Sequence, residues 1–90
     1  MKLNCIIVDD EELAQRVVEK YVADVNKLNL IAKCNHAMDA MDVLRESAID
    51  LIFLDINMPK ISGLSFLRTL KNPPMVIITT AYRDYALEGF

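Results

Sequence analysis

Acids and hydroxyls stand directly behind three short apolar runs, and their types suit metal and phosphate chemistry. Asp9 and Asp10 follow Leu3–Val8, Asp55 follows Leu51–Leu54, and Thr79 and Thr80 follow Val76, Ile77 and Ile78. Carboxylates held close together repel one another, and burial adds to the cost. A hard divalent cation relieves that strain. Mg2+ takes oxygen ligands in an octahedron, keeps several waters, and commonly uses one or two carboxylates together with a phosphate. Asp10 and Asp55 can supply the carboxylates, a loop carbonyl just past Asp55 can supply another oxygen, and Asp9 can act through water. Asp55 then serves as nucleophile toward a phosphoryl group polarised by the metal. The Thr80 hydroxyl stands within reach of the product oxygens. Each residue alone has a plainer reading: an acid after a strand commonly caps a helix, Asp55 forms a turn, and Thr80 ends a strand. Their coincidence at three strand ends favours the chemical reading.

Such groups converge only if the strands end on a common edge. Leu3–Val8 reads Leu-Asn-Cys-Ile-Ile-Val, an apolar run that stops at an acid, which is the pattern of a buried strand. Leu13, Val17, Tyr21 and Val25 then recur every four residues, with Val18 and Val22 widening the stripe. Glu11 and Glu12 sit where a helix dipole favours acids. Leu28–Cys34 can form a second strand. Ala37, Ala40, Met41 and Leu44 follow helical spacing, with Asn35 as the N-cap. Leu51–Leu54 is a third apolar run, and residues 57–63 have turn composition. Leu64, Leu67 and Leu70 give a short helix that Pro73 and Pro74 terminate. A fourth strand follows at Val76, Ile77 and Ile78, and a last helix starts near Asp84.

The order is β-α-β-α-β-α-β-α. Apolar strands alternating with amphipathic helices imply an α/β fold, a doubly wound parallel sheet covered on both faces. Ligand sites in such sheets lie beyond the carboxyl ends of the strands, which is where Asp9, Asp10, Asp55, Thr79 and Thr80 fall.

Ninety residues, 53% hydrophobic and 26% charged, describe one small globular domain. A net charge of −3 and a pI near 5.0 argue against a nucleic-acid-binding surface, so DNA contact has to come from another domain. No apolar run reaches the ~18 residues of a membrane span, and the sequence shows no signal-peptide pattern, so a cytoplasmic chain without a membrane partner is expected. Cys5 and Cys34 read as buried free thiols. His36 reads as a surface or capping residue, and Met41 as part of a helix core stripe.

Val8-Asp9-Asp10-Glu11, Leu54-Asp55-Ile56-Asn57-Met58-Pro59, Gly63 and Thr80-Ala81 together resemble a CheY-like response regulator receiver domain. The segment from Thr80 through Tyr82, Tyr85 and Ala86 to Phe90 is similar to receivers of the LytR/AlgR (LytTR) class. The resemblance implies a flavodoxin-like (βα)5 fold, here truncated before its fifth strand and helix, with strand order 2-1-3-4. It implies that Asp9 and Asp10 bind Mg2+, that a sensor histidine kinase phosphorylates Asp55, and that Asn57 gives its main-chain carbonyl to the metal. Thr80 is implied to bond the phosphoryl group and drive a switch, read out by a LytTR-type DNA-binding domain in the parent protein. The family's lysine after its last strand has no counterpart here; Lys60 and Lys71 fall elsewhere in the pattern. Without the last β-α unit the fourth strand becomes a sheet edge, so self-association of the 90-residue chain, as a homodimer or larger, is expected. Two other functions compete. A haloacid-dehalogenase-type phosphotransferase requires Asp-x-Asp after its first strand, whereas this chain has Asp9-Asp10-Glu11. A phosphorylation-independent pseudo-receiver would have no use for Asp9, Asp10, Asp55 and Thr80.

Overall fold

The computed structural model describes residues 2–56, 58 and 61–79. Within these residues four strands alternate with three helices: β1 (Leu3–Val8), α1 (Glu12–Ala23), β2 (Leu28–Cys34), α2 (Ala37–Glu46), β3 (Leu51–Leu54), α3 (Gly63–Arg68) and β4 (Met75–Ile78). All strand pairs are parallel, and the sheet order is β2-β1-β3-β4, as the resemblance implied. The helix expected from Asp84 lies outside the described residues.

β1 lies between β2 and β3 with a layer on each face, so side chains of both parities must be apolar. Cys5, Ile6, Ile7 and Val8 are accordingly all fully buried. The two faces carry separate cores. Ile6, Val8, Ile52 and Leu54 point to the side where Ala37 and Ala40 of α2 and Phe66 of α3 pack. Cys5 and Leu51 point to the other side, under Val22 of α1 with Val18, Leu28, Leu30 and Phe53 around them. Both cysteines are buried free thiols, as expected.

β2 serves both cores through one irregularity. Cys5 pairs with Leu30 but Ile6 pairs with Ala32, so Ile31 is an extra residue on β2. A bulge of this kind reverses which face the following side chains meet. Leu28 and Leu30 therefore join the α1 core, whereas Ala32 and Cys34 join the α2 core. In an unbroken strand these even-numbered residues would share one face.

The helices correct three sequence expectations. The repeat Leu13, Val17, Tyr21, Val25 is a helical stripe, but not the buried one. Leu13 is 73% exposed and Tyr21 70%, while α1 buries Gln15 and Val22. The buried face is rotated by roughly a third of a turn from the Leu13 stripe, because α1 packs against β1 and β2. Between α1 and the β3–β4 side lies an apolar groove of ≈ 360 Å³, with Val18, Tyr21, Phe53 and Ile77 among its walls. At α2 the N-cap is His36, not Asn35; it is extended and exposed, and its side chain makes no capping bond. In α3 the fully buried side chain is Phe66, whereas Leu64 and Leu67 of the anticipated Leu stripe are only half-buried. Ser62 caps α3 by accepting from the Ser65 N–H at 3.1 Å. Among the described residues no helix is long and apolar enough to cross a membrane.

Candidate functional site at the carboxyl ends of the strands

The sheet ladder continues one step past the strands. The Asp9 N–H donates to the Cys34 carbonyl at 3.0 Å, Asp55 to Val8 at 2.9 Å, and Thr79 to Leu54 at 2.9 Å. Val8 pairs with Cys34 and Leu54, and Leu54 with Ile78, so the next row across the sheet is Asn35, Asp9, Asp55, Thr79. Register thus sets Asp9 and Asp55 side by side, and Asp10 follows on the turn into α1. One carboxylate oxygen from each of Asp9, Asp10 and Asp55 lies within 4.8 Å of the other two. Asp9 and Asp55 are buried and Asp10 partly so. Of the residues singled out in sequence, the fold brings these three together. Asn57 and Thr80 lie outside the described residues.

Carboxylates held this close repel one another. Burial pushes the Asp9 carboxyl up to about 6 from 3.8; the Glu11 N–H, donating to Asp9 Oδ1 at 2.9 Å, opposes the rise, and the charges of Asp55, Asp10 and Glu11 add to it. Oδ1 of Asp10 is buried with no hydrogen-bond donor among the described residues. A buried acceptor without a donor is costly, and here it sits in a negative field. One cation answers both problems. An all-oxygen, anionic donor set suits a hard ion such as Mg2+ rather than a soft metal, so the residues present fit Mg2+. Beside the carboxylates opens a polar cleft of ≈ 510 Å³, lined by Asp10, Glu12, Gln15, Lys33, Asn35 and His36.

The response regulator receiver domain family matches residues 5–89. The chain belongs to that family. It is 35% identical over 91 residues to an uncharacterized response regulatory protein of Yersinia pestis, covering 98% of this chain and 38% of that protein. It is 33% identical to the sensory transduction protein LytT of Bacillus cereus, covering 98% of this chain and 37% of LytT. Among solved structures, the response regulatory domain of mrkE from Klebsiella pneumoniae superimposes with a TM-score of 0.85 at 27% identity, covering 98% of this chain and 75% of that one. The chain thus spans well under half the length of the curated relatives it matches. It is a signalling receiver of the two-component response regulator type, with LytT among its relatives.

Two further residues hold the site of this receiver. Gly63 opens α3 and lies against the backbone of Asp55: a Cβ there would meet the Asp55 carbonyl oxygen at 2.5 Å and the Ile56 Cα at 2.8 Å. Its N–H donates to the Ile56 carbonyl at 2.8 Å, fastening the segment after Asp55 to the start of α3. Only hydrogen fits at that approach. Gln15 was not foreseen. It is 4% exposed, and its Nε2 donates to the Asp9 carbonyl at 2.6 Å, the Asn35 Oδ1 at 2.7 Å and the Cys34 carbonyl at 3.3 Å. The available signal was its spacing, three residues before Val18 and seven before Val22, which puts a polar side chain on the buried face of α1.

Proposed function

We propose that this receiver is a phosphoacceptor in which Asp55 takes a phosphoryl group from the phosphohistidine of a sensor histidine kinase. The observation that carries the reading is the convergence of the Asp9, Asp10 and Asp55 carboxylates at the ends of β1 and β3. Asp10 and Asp55, with the Asn57 carbonyl, would hold Mg2+, and Asp9 would act on it through water. When bound, Mg2+ offsets the charge of the carboxylates and of the incoming phosphoryl group. An Asp55 carboxylate oxygen attacks phosphorus, an acyl phosphate O–P bond forms, the P–N bond breaks, and the electron pair leaves with the imidazole nitrogen. Gly63 holds the Asp55 main chain for that attack, and the hydroxyl of Thr80 bonds the transferred group and starts the switch. In the longer regulator the output is transcriptional, through a LytTR-type DNA-binding domain.

The test is phosphorylation by acetyl phosphate, and by a histidine kinase, with the modified residue located by mass spectrometry after borohydride reduction. Label is expected on Asp55 alone and lost in Asp55→Asn. Label surviving in Asp55→Asn overturns the assignment, and no label with either donor on a full-length regulator returns the pseudo-receiver reading.

A further inference from the structure

The Gln15 side chain makes a contact set that helix docking alone does not require. The carbonyls of Asp9 and Cys34 are acceptors only, so the Gln15 atom facing them must be the amide nitrogen. The two short bonds, to Asp9 O at 2.6 Å and Asn35 Oδ1 at 2.7 Å, account for its two hydrogens, and Cys34 O at 3.3 Å shares one of them. One amide thereby ties α1 to the ends of both β1 and β2. The Asp9 carbonyl belongs to the Asp9–Asp10 peptide, which is planar. Fixing its oxygen fixes the plane and, with it, the direction in which Asp10 leaves the chain. A buried amide of this kind is costly unless it is hydrogen-bonded, and here its shortest bond holds the peptide between Asp9 and Asp10 while the others anchor the same amide to the end of β2.

We propose that Gln15 is a positioning residue for the cation site: its amide locks the Asp9–Asp10 peptide so that both carboxylates are aimed at Mg2+ before the ion arrives. This deepens the reading of Asp9, Asp10 and Asp55 as a Mg2+ site and rests on it. Partners that orient metal ligands typically change affinity by about 10–100-fold when removed. Gln15 does not touch the ion in this arrangement.

The experiment compares Mg2+ affinity, by calorimetric titration of the 90-residue chain, with the Mn2+ electron paramagnetic resonance spectrum and the metal-free melting temperature. Gln15→Met keeps the length and apolar stem and deletes the donors. Val22→Ala loosens the same helix without touching the turn. Asp10→Asn removes a ligand. Gln15→Met should bind Mg2+ about tenfold more weakly with a broadened Mn2+ spectrum, while Val22→Ala melts lower but binds as wild type does. Gln15→Ser, which leaves room for water at the same carbonyls, is read in the same way should Gln15→Met fail to fold. Wild-type affinity in the Gln15 variants beside a loss in Asp10→Asn overturns the positioning role and leaves the metal site standing. Equal weakening by Gln15→Met and Val22→Ala also overturns it, as a general effect of a loosened helix. Absence of binding in the wild type removes the metal site and the proposal together.

Discussion

At Asp9 the fold works against its own charge. The carboxyl is raised to about 6 from 3.8, so between those values the folded chain keeps a proton that the unfolded chain has released. Stability from this group is fully present below pH 3.8 and is lost as pH rises through about 6. At neutral pH the metal-free Asp9→Asn variant should therefore be more stable than wild type, by an amount on the order of 3 kcal/mol, since each tenfold change in proton affinity corresponds to about 1.36 kcal/mol. The amide oxygen can still accept from the Glu11 N–H. Thermal unfolding in chelator across that window measures it, and parallel curves for the two proteins would refute the effect. Mg2+ binds the ionised carboxylates, so its affinity should run the other way and rise with pH over the same range. Gly63→Ala brings a methyl group to 2.5 Å from the Asp55 carbonyl oxygen, where backbone has to move. Overpacking of this sort costs about 1–3 kcal/mol, and because the displaced atoms belong to Asp55, phosphorylation should slow as well. A variant with unchanged melting and unchanged labelling would show that the loop yields freely.

Among the elements, α3 depends on one side chain. Phe66 is fully buried between the sheet and the α2 side, whereas Leu64 is half-buried. Truncating a buried Phe to Ala costs about 3–5 kcal/mol, a large part of a small domain's whole stability of about 5–15 kcal/mol. Phe66→Ala should unfold well below the wild-type midpoint in urea, with Leu64→Ala far closer to it; equal midpoints would mean that the Leu stripe carries the helix. Surface charge contributes little by comparison. Arg16–Glu12, Lys33–Glu19 and Arg45–Asp42 are all exposed pairs, a class worth about 0–1 kcal/mol each. The elements are held by apolar burial on the two sheet faces.

For the molecule as a whole, the unequal covering of those faces matters most. Among the described residues, α2 and α3 pack on one face and α1 on the other, over β1 and β2. Met75 is 61% and Ile77 46% exposed on β4, which ends the sheet among the described residues. Tyr21 and Ile77 wall the apolar groove, and Leu13, Val17 and Met75 are exposed apolar side chains as well. Apolar strand edges with free N–H and C=O groups are templates for pairing, and exposed apolar patches favour association. The isolated 90-residue polypeptide should therefore self-associate at micromolar concentration. Light scattering with thermal unfolding reads this out, and a stable monomer with one sharp transition would show that the groove is tolerated.

Sequence by itself determined the strands, their alternation with helices and the acids behind them. β1, β2 and β3 begin and end where the apolar runs do, because continuous apolar stretches and the residues that interrupt them are local properties of the chain. Asp9, Asp10 and Asp55 were readable for the same reason: a strand that stops at an acid delivers that acid to the sheet edge whatever the rest of the fold does. Tertiary structure alone decided how elements are rotated and offset against one another. The extra residue at Ile31 divides β2 between two cores. Docking on β1 and β2 turns the Leu13 stripe outward and Gln15 inward, and the approach of α3 to Asp55 leaves room only for Gly63. Each of these depends on the distance between residues far apart in sequence, which no local pattern of side chains encodes.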